Sequence, residues 1–119
     1  MDPGPLSDLL RGRISTTPLE ALLNTYQRAG IAPVVVIPPV PLEVMQASGM
    51  DVDRWREAAG FVRSTAEVSG IEVLDYTEAG YPRDHFADLM HLNRRGSERF
   101  SRDLAMDIDR LCRSGRWSC

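Results

Sequence analysis

The 119-residue chain is long enough for one domain with a single buried core. It is 43% hydrophobic and 26% charged, and its net charge is −3. Its arginines are scattered among acidic residues rather than clustered, and this distribution argues against a nucleic-acid partner. No apolar run reaches the ~18 residues of a membrane span, and the first residues lack the features of a signal peptide, which on its face indicates a cytoplasmic chain.

The first half of the chain predicts a helix followed by a strand. Residues 1–14 begin rich in proline and glycine and form a lead-in segment. The hydroxyl residues 15–17 ahead of Pro18 predict a helix start, and Gly30 predicts its end. The run Val34–Ile37 is entirely β-branched and lies between prolines. It predicts a strand buried on both faces, and hence a parallel sheet.

The second half predicts a helix, a strand, a long loop and a last helix. The first of these helices should open at Asp51, and the strand should span Ile71–Leu74. The loop Asp75–Met90 has about 16 residues, a length for which a functional role is the favoured explanation. Asn93 should cap the last helix. The apolar residues of that helix repeat at helical spacing: Phe100, Leu104, Ile108 and Leu111.

This order of elements predicts an α/β fold in which a parallel sheet is flanked by helices. The domain should span residues 15–112, with residues 113–119 as a tail. Two strands are too few for a stable sheet, because three or more are usually needed. We therefore expect a partial domain, completed by a missing N-terminal half or by a second copy of the chain, unless the chain contains further strands that its pattern does not reveal. An open strand edge should also make it self-associate.

Asp88 and His91 are the candidate catalytic residues. They lie three residues apart at the mouth of the last helix, a separation that lets the carboxylate fold back on the imidazole. A general base needs such a carboxylate on its far ring nitrogen to fix its tautomer and orientation. Asn93 then caps the helix, and Gly96 allows the helix to lie close to a strand or loop.

The block Asp88-x-x-His91-Leu92-Asn93-x-x-Gly96, with the apolar helix behind it, resembles the C-terminal signature block of the SGNH (GDSL-type) hydrolases. The strand Val34–Ile37 resembles the core strand that precedes this block by one helix and one strand. With Leu-Asn after the histidine, the block is similar to the branch that contains bacterial carbohydrate O-acetyltransferases and teichoic-acid-modifying proteins. The resemblance covers about residues 18–111.

The resemblance implies a flavodoxin-like three-layer fold, of which this chain is the C-terminal half. It implies ester hydrolysis or acyl transfer by a Ser-His-Asp mechanism on a saccharide or lipid ester, with no cofactor and no metal. His91 would accept the serine proton, and Asp88 would hold His91 in the productive tautomer. Full-length relatives of this kind are often secreted or part of the cell envelope.

The rest of such an active site is missing from the sequence. There is no Gly-Asp-Ser block for a nucleophile and no Gly-x-Asn-Asp block for an oxyanion hole. The segment Pro5-Leu6-Ser7-Asp8 has serine and acid in the wrong order, with no strand before it. We therefore expect the chain alone to turn over esters poorly or not at all. The alternative is a non-catalytic remnant of the same fold that serves as an interaction module.

Two other interpretations of the histidine region stay open. One is a structural turn at Asp88 beside a partly buried histidine, with no chemistry. The other is a zinc or iron site, since Asp84 and His85 lie close in sequence to Asp88 and His91. His85 by itself is expected to be an exposed loop residue. Trp55 is expected to pack against helices rather than to bind substrate.

A group of arginines on the last helix predicts a solvated face paired with Glu98 and Asp103. Arg94 or Arg95 could instead steer an anionic substrate. The group consists of Arg94, Arg95, Arg99 and Arg102.

Two cysteines and a tryptophan lie near the C-terminus. Cys112 is expected to be a helix-face hydrophobe and Cys119 a free thiol. They would pair only if the tail folds back in an oxidising compartment. Trp117 is either disordered or docked on a partner.

Overall fold

The computed structural model describes residue 15, residues 17–115, residue 117 and residue 119. The predicted lead-in segment, with its candidate Ser7, lies outside these residues. None of the described helices is long and apolar enough to cross a bilayer. In chain order the elements are α1 (Thr17–Arg28), β1 (Val34–Ile37), α2 (Leu42–Ala47), α3 (Val52–Val68), β2 (Glu72–Asp75), a 3-10 turn (Arg83–His85) and α4 (Arg94–Arg113).

The helix boundaries follow the predicted capping residues. α1 begins at Thr17, just before the predicted start, and the Thr17 N–H donates to the Ser15 hydroxyl at 3.2 Å. At the start of α3, Asp51 Oδ1 accepts a backbone N–H of the first turn. α1 and α3 are followed by Gly30 and Gly70, whose φ angles of 76° and 71° cost glycine little.

The structure contains one helix that the sequence analysis did not predict. α2 follows the proline-rich segment 38–41 directly and has no side-chain N-cap bond. Its six residues are too few for an apolar period to show. Met45 within it is fully buried, so tertiary packing rather than a local signal stabilises this helix.

β1 and β2 pair in parallel, in a register that begins with Val34 opposite Glu72. β2 begins one residue later than predicted. The reason is that the Ile71 N–H donates to the Ala66 carbonyl at 2.9 Å and so completes the end of α3. The predicted α/β fold, with a parallel sheet flanked by helices, is confirmed. Within the described ranges the sheet has these two strands only.

Two hydrophobic clusters hold the elements together. The first packs α1 and α3 against the sheet, and its buried members are Leu23, Ala66 and Ile71. The second lies where the chain leaves β1, and its buried members are Val40, Met45 and Val52. Trp55 and Leu89 pack against this second cluster, so the packing role predicted for Trp55 is confirmed.

Two buried tyrosines attach α4 to the segment after β2. The Tyr76 hydroxyl donates to Asp107 and the Tyr81 hydroxyl donates to Asp103. Burial, reinforced by the bond to Asp103, raises the pKa of Tyr81 to about 12, so this hydroxyl stays a donor at neutral pH. These bonds fix the orientation of α4 relative to the ends of the strands.

The prediction that Cys119 is a free thiol is wrong, and the alternative in which the tail folds back and the two cysteines pair is confirmed. The two residues form a disulfide with their Cα atoms 5.7 Å apart. α4 ends at Arg113, and Gly115 then takes a φ of 74° that reverses the chain and brings the tail back. A disulfide of this kind persists in an oxidising compartment. Trp117 is half-buried and lines a shallow cleft near the amino ends of the strands.

Candidate active site

The candidate residues lie on the segment that connects β2 to α4. This segment leaves the carboxyl end of β2, and its Leu89 packs against the cluster that follows the carboxyl end of β1. The connections after both strands therefore meet at one edge of the sheet. Open parallel sheets bind their ligands at this edge.

Asp88 and His91 form a hydrogen-bonded pair. Both carboxylate oxygens of Asp88 lie 2.9 Å from His91 Nδ1. The same carboxylate accepts the backbone N–H groups of Met90 and His91, each at 2.8 Å, so it is locked in place by its own turn. The His91 side chain is 75% exposed. The ring is therefore held at one nitrogen and open to solvent at the other.

The protonation state of Asp88 follows from these bonds. The Met90 N–H, and after it the His91 ring, hold the pKa of the Asp88 carboxyl below its usual range. Asp88 is thus a carboxylate at neutral pH and acts only as an acceptor. Neutral His91 must then donate from Nδ1, which leaves Nε2 as the basic nitrogen. This is the tautomer that a general base requires.

The loop that carries the pair is closed at its base. Phe86 and Leu92 form an isolated antiparallel bridge, and the Ala87 N–H donates to the His91 carbonyl at 2.8 Å. We call residues 86–92 the dyad loop. This bridge and this hydrogen bond bring the two ends of the loop together.

α4 begins immediately after the dyad loop and lies directly against the 3-10 turn. Asn93 caps the helix as predicted, because its Oδ1 accepts the Gly96 N–H at 3.0 Å. Gly96 is buried, and a Cβ at this position would overlap the carbonyl oxygen of His85. The predicted close approach at Gly96 is therefore confirmed, and its neighbour is the turn Arg83–His85.

His85 is not the exposed loop residue that the sequence predicted. Its side chain is 12% exposed. His85 Nδ1 lies 2.6 Å from Asp84 Oδ1, and its ring meets the Tyr81 ring edge-on at 5.7 Å. The burial comes from Tyr81 and α4, which are not neighbours that the local sequence pattern reveals. The segment thus holds a second Asp–His pair, less accessible than the first.

The metal-site interpretation has no support in the described part of the chain. The four acidic and imidazole groups of this segment are divided between two separate pairs, Asp84 with His85 and Asp88 with His91. Among the residues that the structure describes, no three side chains of ligand type converge on one point.

The arginines of α4 follow the predicted pairing in part. Arg94 contacts Glu98 at 3.2 Å, and Arg99 contacts Asp103 at 3.7 Å. Arg95 differs, because its guanidinium reaches Asp84 at 3.0 Å. It therefore joins the helix to the 3-10 turn instead of belonging to a purely solvated face.

The described residues bring no serine hydroxyl to the His91 ring. Within them, the hydrogen bonds of His91 go to Asp88 and to Ala87. The described region thus contains a histidine–carboxylate pair in the geometry of a general base and shows no nucleophile beside it.

A cleft of about 420 Å³ opens between the segments that follow the two strands. Its charged lining residues are Glu43, Arg56, Glu78 and Arg83. Thr77 also lines it, and the buried Thr77 hydroxyl has no hydrogen-bond partner among the described residues. No motif in the sequence pointed to this cleft. The cleft could have been predicted only from a run of polar and glycine residues directly after a strand.

Comparison with known proteins gives one family. The sequence profile of the family described as DltD protein matches residues 17–104, which is most of the chain. The match includes both strands, the Asp88–His91 pair and Gly96. No curated protein and no solved structure matches the chain.

The lowered pKa of Asp88 predicts how the pair responds to acid. A carboxyl whose pKa is lower in the folded than in the unfolded chain stabilises the fold above its unfolded pKa, and this contribution is lost as pH falls through the folded value. The Asp88 carboxyl carbon, followed by NMR, should therefore titrate below the range of an unperturbed aspartate. In His91→Ala the midpoint should rise but stay low, because the Met90 N–H bond remains. A midpoint in the ordinary range in the wild type would contradict the observed geometry.

Gly96→Ala should move the turn away from the helix. The new Cβ meets the His85 carbonyl and lies 2.9 Å from Leu92, so the variant should lose about 1–3 kcal/mol of unfolding free energy. Gly60→Ala is the matched control, since its Cβ would meet nothing closer than 3.9 Å within a helix. That variant should be neutral or more stable by up to about 1 kcal/mol. Equal urea midpoints for the two variants would show that the contact at Gly96 is loose.

Proposed function

The chain belongs to the DltD protein family, and on this premise we propose that it carries the general base of an acyl-transfer site. The DltD family is SGNH-like and is involved in D-alanine transfer onto teichoic acids. The proposed substrates are an acyl ester, with D-alanyl as the first candidate for the acyl group, and a hydroxyl-bearing envelope polymer as acceptor. The serine nucleophile comes from outside the described residues.

The observation that carries this proposal is the bond from Asp88 to His91 Nδ1 in an otherwise exposed imidazole. Asp88 holds the ring with both oxygens at 2.9 Å and is itself held by two backbone N–H groups. A histidine buried for packing would have both ring nitrogens hydrogen-bonded. Here, one nitrogen is oriented and the other faces solvent, where a serine and an ester can approach.

The proposed reaction has two proton transfers through His91. His91 Nε2 takes the proton of the serine hydroxyl while the serine oxygen attacks the acyl carbon. The imidazolium then returns that proton to the leaving atom, an oxygen in an ester or a sulfur in a thioester, which releases an alcohol or a thiol and leaves an acyl-serine. The acceptor hydroxyl repeats the sequence in reverse, so the acyl group ends on the acceptor and the serine is regenerated. Asp88 remains ionised and stabilises the imidazolium at each step.

The cleft between the strand ends supports a polymer as acceptor. Its charged lining has two guanidinium groups and two carboxylates. Another wall is formed by the apolar side chains of Val40, Pro41, Leu42 and Val44. The guanidinium and carboxylate groups of this lining can hydrogen-bond the hydroxyl groups of a polyol chain. Arg56 is already held by Glu78 and, at 3.3 Å, by Asp53, so its guanidinium is fixed in orientation.

The proposal is tested in the native host with single substitutions at the chromosomal locus. His91→Ala should reduce the alkali-labile acyl esters of envelope polymers to background, and Asp88→Asn should reduce turnover by about 10⁴ through the wrong tautomer. Arg102→Ala is the control, because its side chain is exposed on α4 and, among the described residues, the ring of His91 bonds to Asp88 instead. The readout is the D-alanine released by mild base, with the amount of each variant protein measured by immunoblot.

The alternative is an interaction module of the same fold. One observation favours it: the described residues place no serine at His91. In that case His91→Ala and Asp88→Asn should leave the ester content unchanged, while loss of the whole chain changes it. This outcome would remove the catalytic proposal and keep the family membership.

A further inference from the structure

The second Asp–His pair has no part in the proposed chemistry, yet it contacts both sides of the dyad loop. Asp84 and His85 end the 3-10 turn that leads into the loop, and Asn93 follows the loop directly. The Asn93 N–H donates to the His85 carbonyl at 2.9 Å, and Asn93 Nδ2 donates to the Asp84 carbonyl at 2.6 Å. The two ends of the dyad loop are thus joined through the backbone of Asp84 and His85.

The Asp84 side chain fixes that backbone to α4. Its Oδ1 bonds to His85 Nδ1 at 2.6 Å, and its Oδ2 accepts from Arg95 at 3.0 Å. Because Arg95 belongs to α4 and His85 belongs to the turn, one carboxylate bridges the two elements. The His85 ring, and after it Arg95, hold the pKa of Asp84 below its usual range, so the bridge is ionised at neutral pH.

The His85 ring forms the buried side of this arrangement. It packs edge-on against Tyr81, whose hydroxyl is bonded to Asp103 of α4 and whose ring is covered by Arg99 at 4.2 Å. His85 therefore cannot turn toward Asp88 without leaving this contact. The turn, the tyrosine and the first turns of α4 form one packed unit beneath the dyad loop.

We propose that Asp84, His85 and Arg95 are positioning residues that hold the Asp88–His91 pair in its reactive geometry. The inference rests on the proposed function in taking His91 as the base, while the positioning itself is a property of the folded chain. Asp84 and Arg95 are more than half exposed, at 61% and 70%, so their ion pair contributes little to global stability. Its effect is on geometry, and a displacement of about 1 Å can cost about 10²-fold in rate.

The chain is suited to a direct test, because His85 and His91 are its only histidines. With ¹⁵N-labelled histidine, long-range proton–nitrogen correlations report the tautomer of each ring separately at a pH where both are neutral. In the wild type His91 should be protonated at Nδ1. In Asp84→Ala the His91 signals should shift toward the tautomer average of a free histidine. Arg95→Gln should cause a smaller shift in the same direction.

Arg94→Gln is the matched control. Arg94 is adjacent to Arg95 on the same helix but pairs with Glu98, so its loss should leave the His91 signals unchanged. An unchanged His91 tautomer in folded Asp84→Ala overturns the inference. If Asp84→Ala does not fold, Arg95→Gln decides the question, since it keeps the Asp84–His85 bond and removes only the bridge to α4.

A kinetic readout separates this inference from the proposed function. In the protein purified from its host, Asp84→Ala should lower kcat for acyl transfer by about 10²-fold with little change in KM, because substrate contacts are untouched. A shifted His91 tautomer in Asp84→Ala, together with a wild-type protein that transfers no acyl group, would support positioning and contradict the function. Full turnover by the wild type, with an unshifted His91 tautomer in Asp84→Ala, would support the function and contradict positioning.

Discussion

The close approach of α4 to the backbone of His85 is the constraint on which the candidate site depends. Gly96 makes the approach possible, because any side chain there would overlap the His85 carbonyl. Asn93 stabilises this approach, because its side chain accepts the Gly96 N–H and also donates to the Asp84 carbonyl. The dyad loop, which lies between the 3-10 turn and Asn93, is therefore short and closed. This brings the Asp88 carboxylate within hydrogen-bond distance of the His91 ring.

The parts of the site that depend on local spacing could be predicted, and the parts that depend on distant neighbours could not. The pairing of Asp88 with His91 and the cap at Asn93 each follow from residues three apart in sequence. The burial of His85 depends on Tyr81 and its bond to α4, and no local pattern reports such a contact. For the same reason the short helix α2 was not predicted and the pairing of Cys112 stayed an open alternative, because packing of α2 and reversal of the tail bring the decisive partners together.

The proposals give the two Asp–His pairs of this short segment different roles, one in proton transfer and one in positioning. The exposed pair has a carboxylate held by backbone N–H groups and an imidazole with one nitrogen open, which suits proton transfer. The less accessible pair has its ring packed against Tyr81 and its carboxylate bonded to Arg95, which suits a fixed support. The chain belongs to the DltD family, and in the proposed function the exposed pair supplies the oriented imidazole of an acyl-transfer site.

The central claim is that His91 activates a serine, and the rate of fluorophosphonate labelling measures this most directly. The protein would be purified from its native host together with the chains bound to it, and labelling of serine followed by mass spectrometry. The account predicts one rapidly labelled serine in the wild type and a rate lower by orders of magnitude in His91→Ala. Labelling that proceeds equally fast in His91→Ala, or a wild-type preparation with no reactive serine, would contradict it.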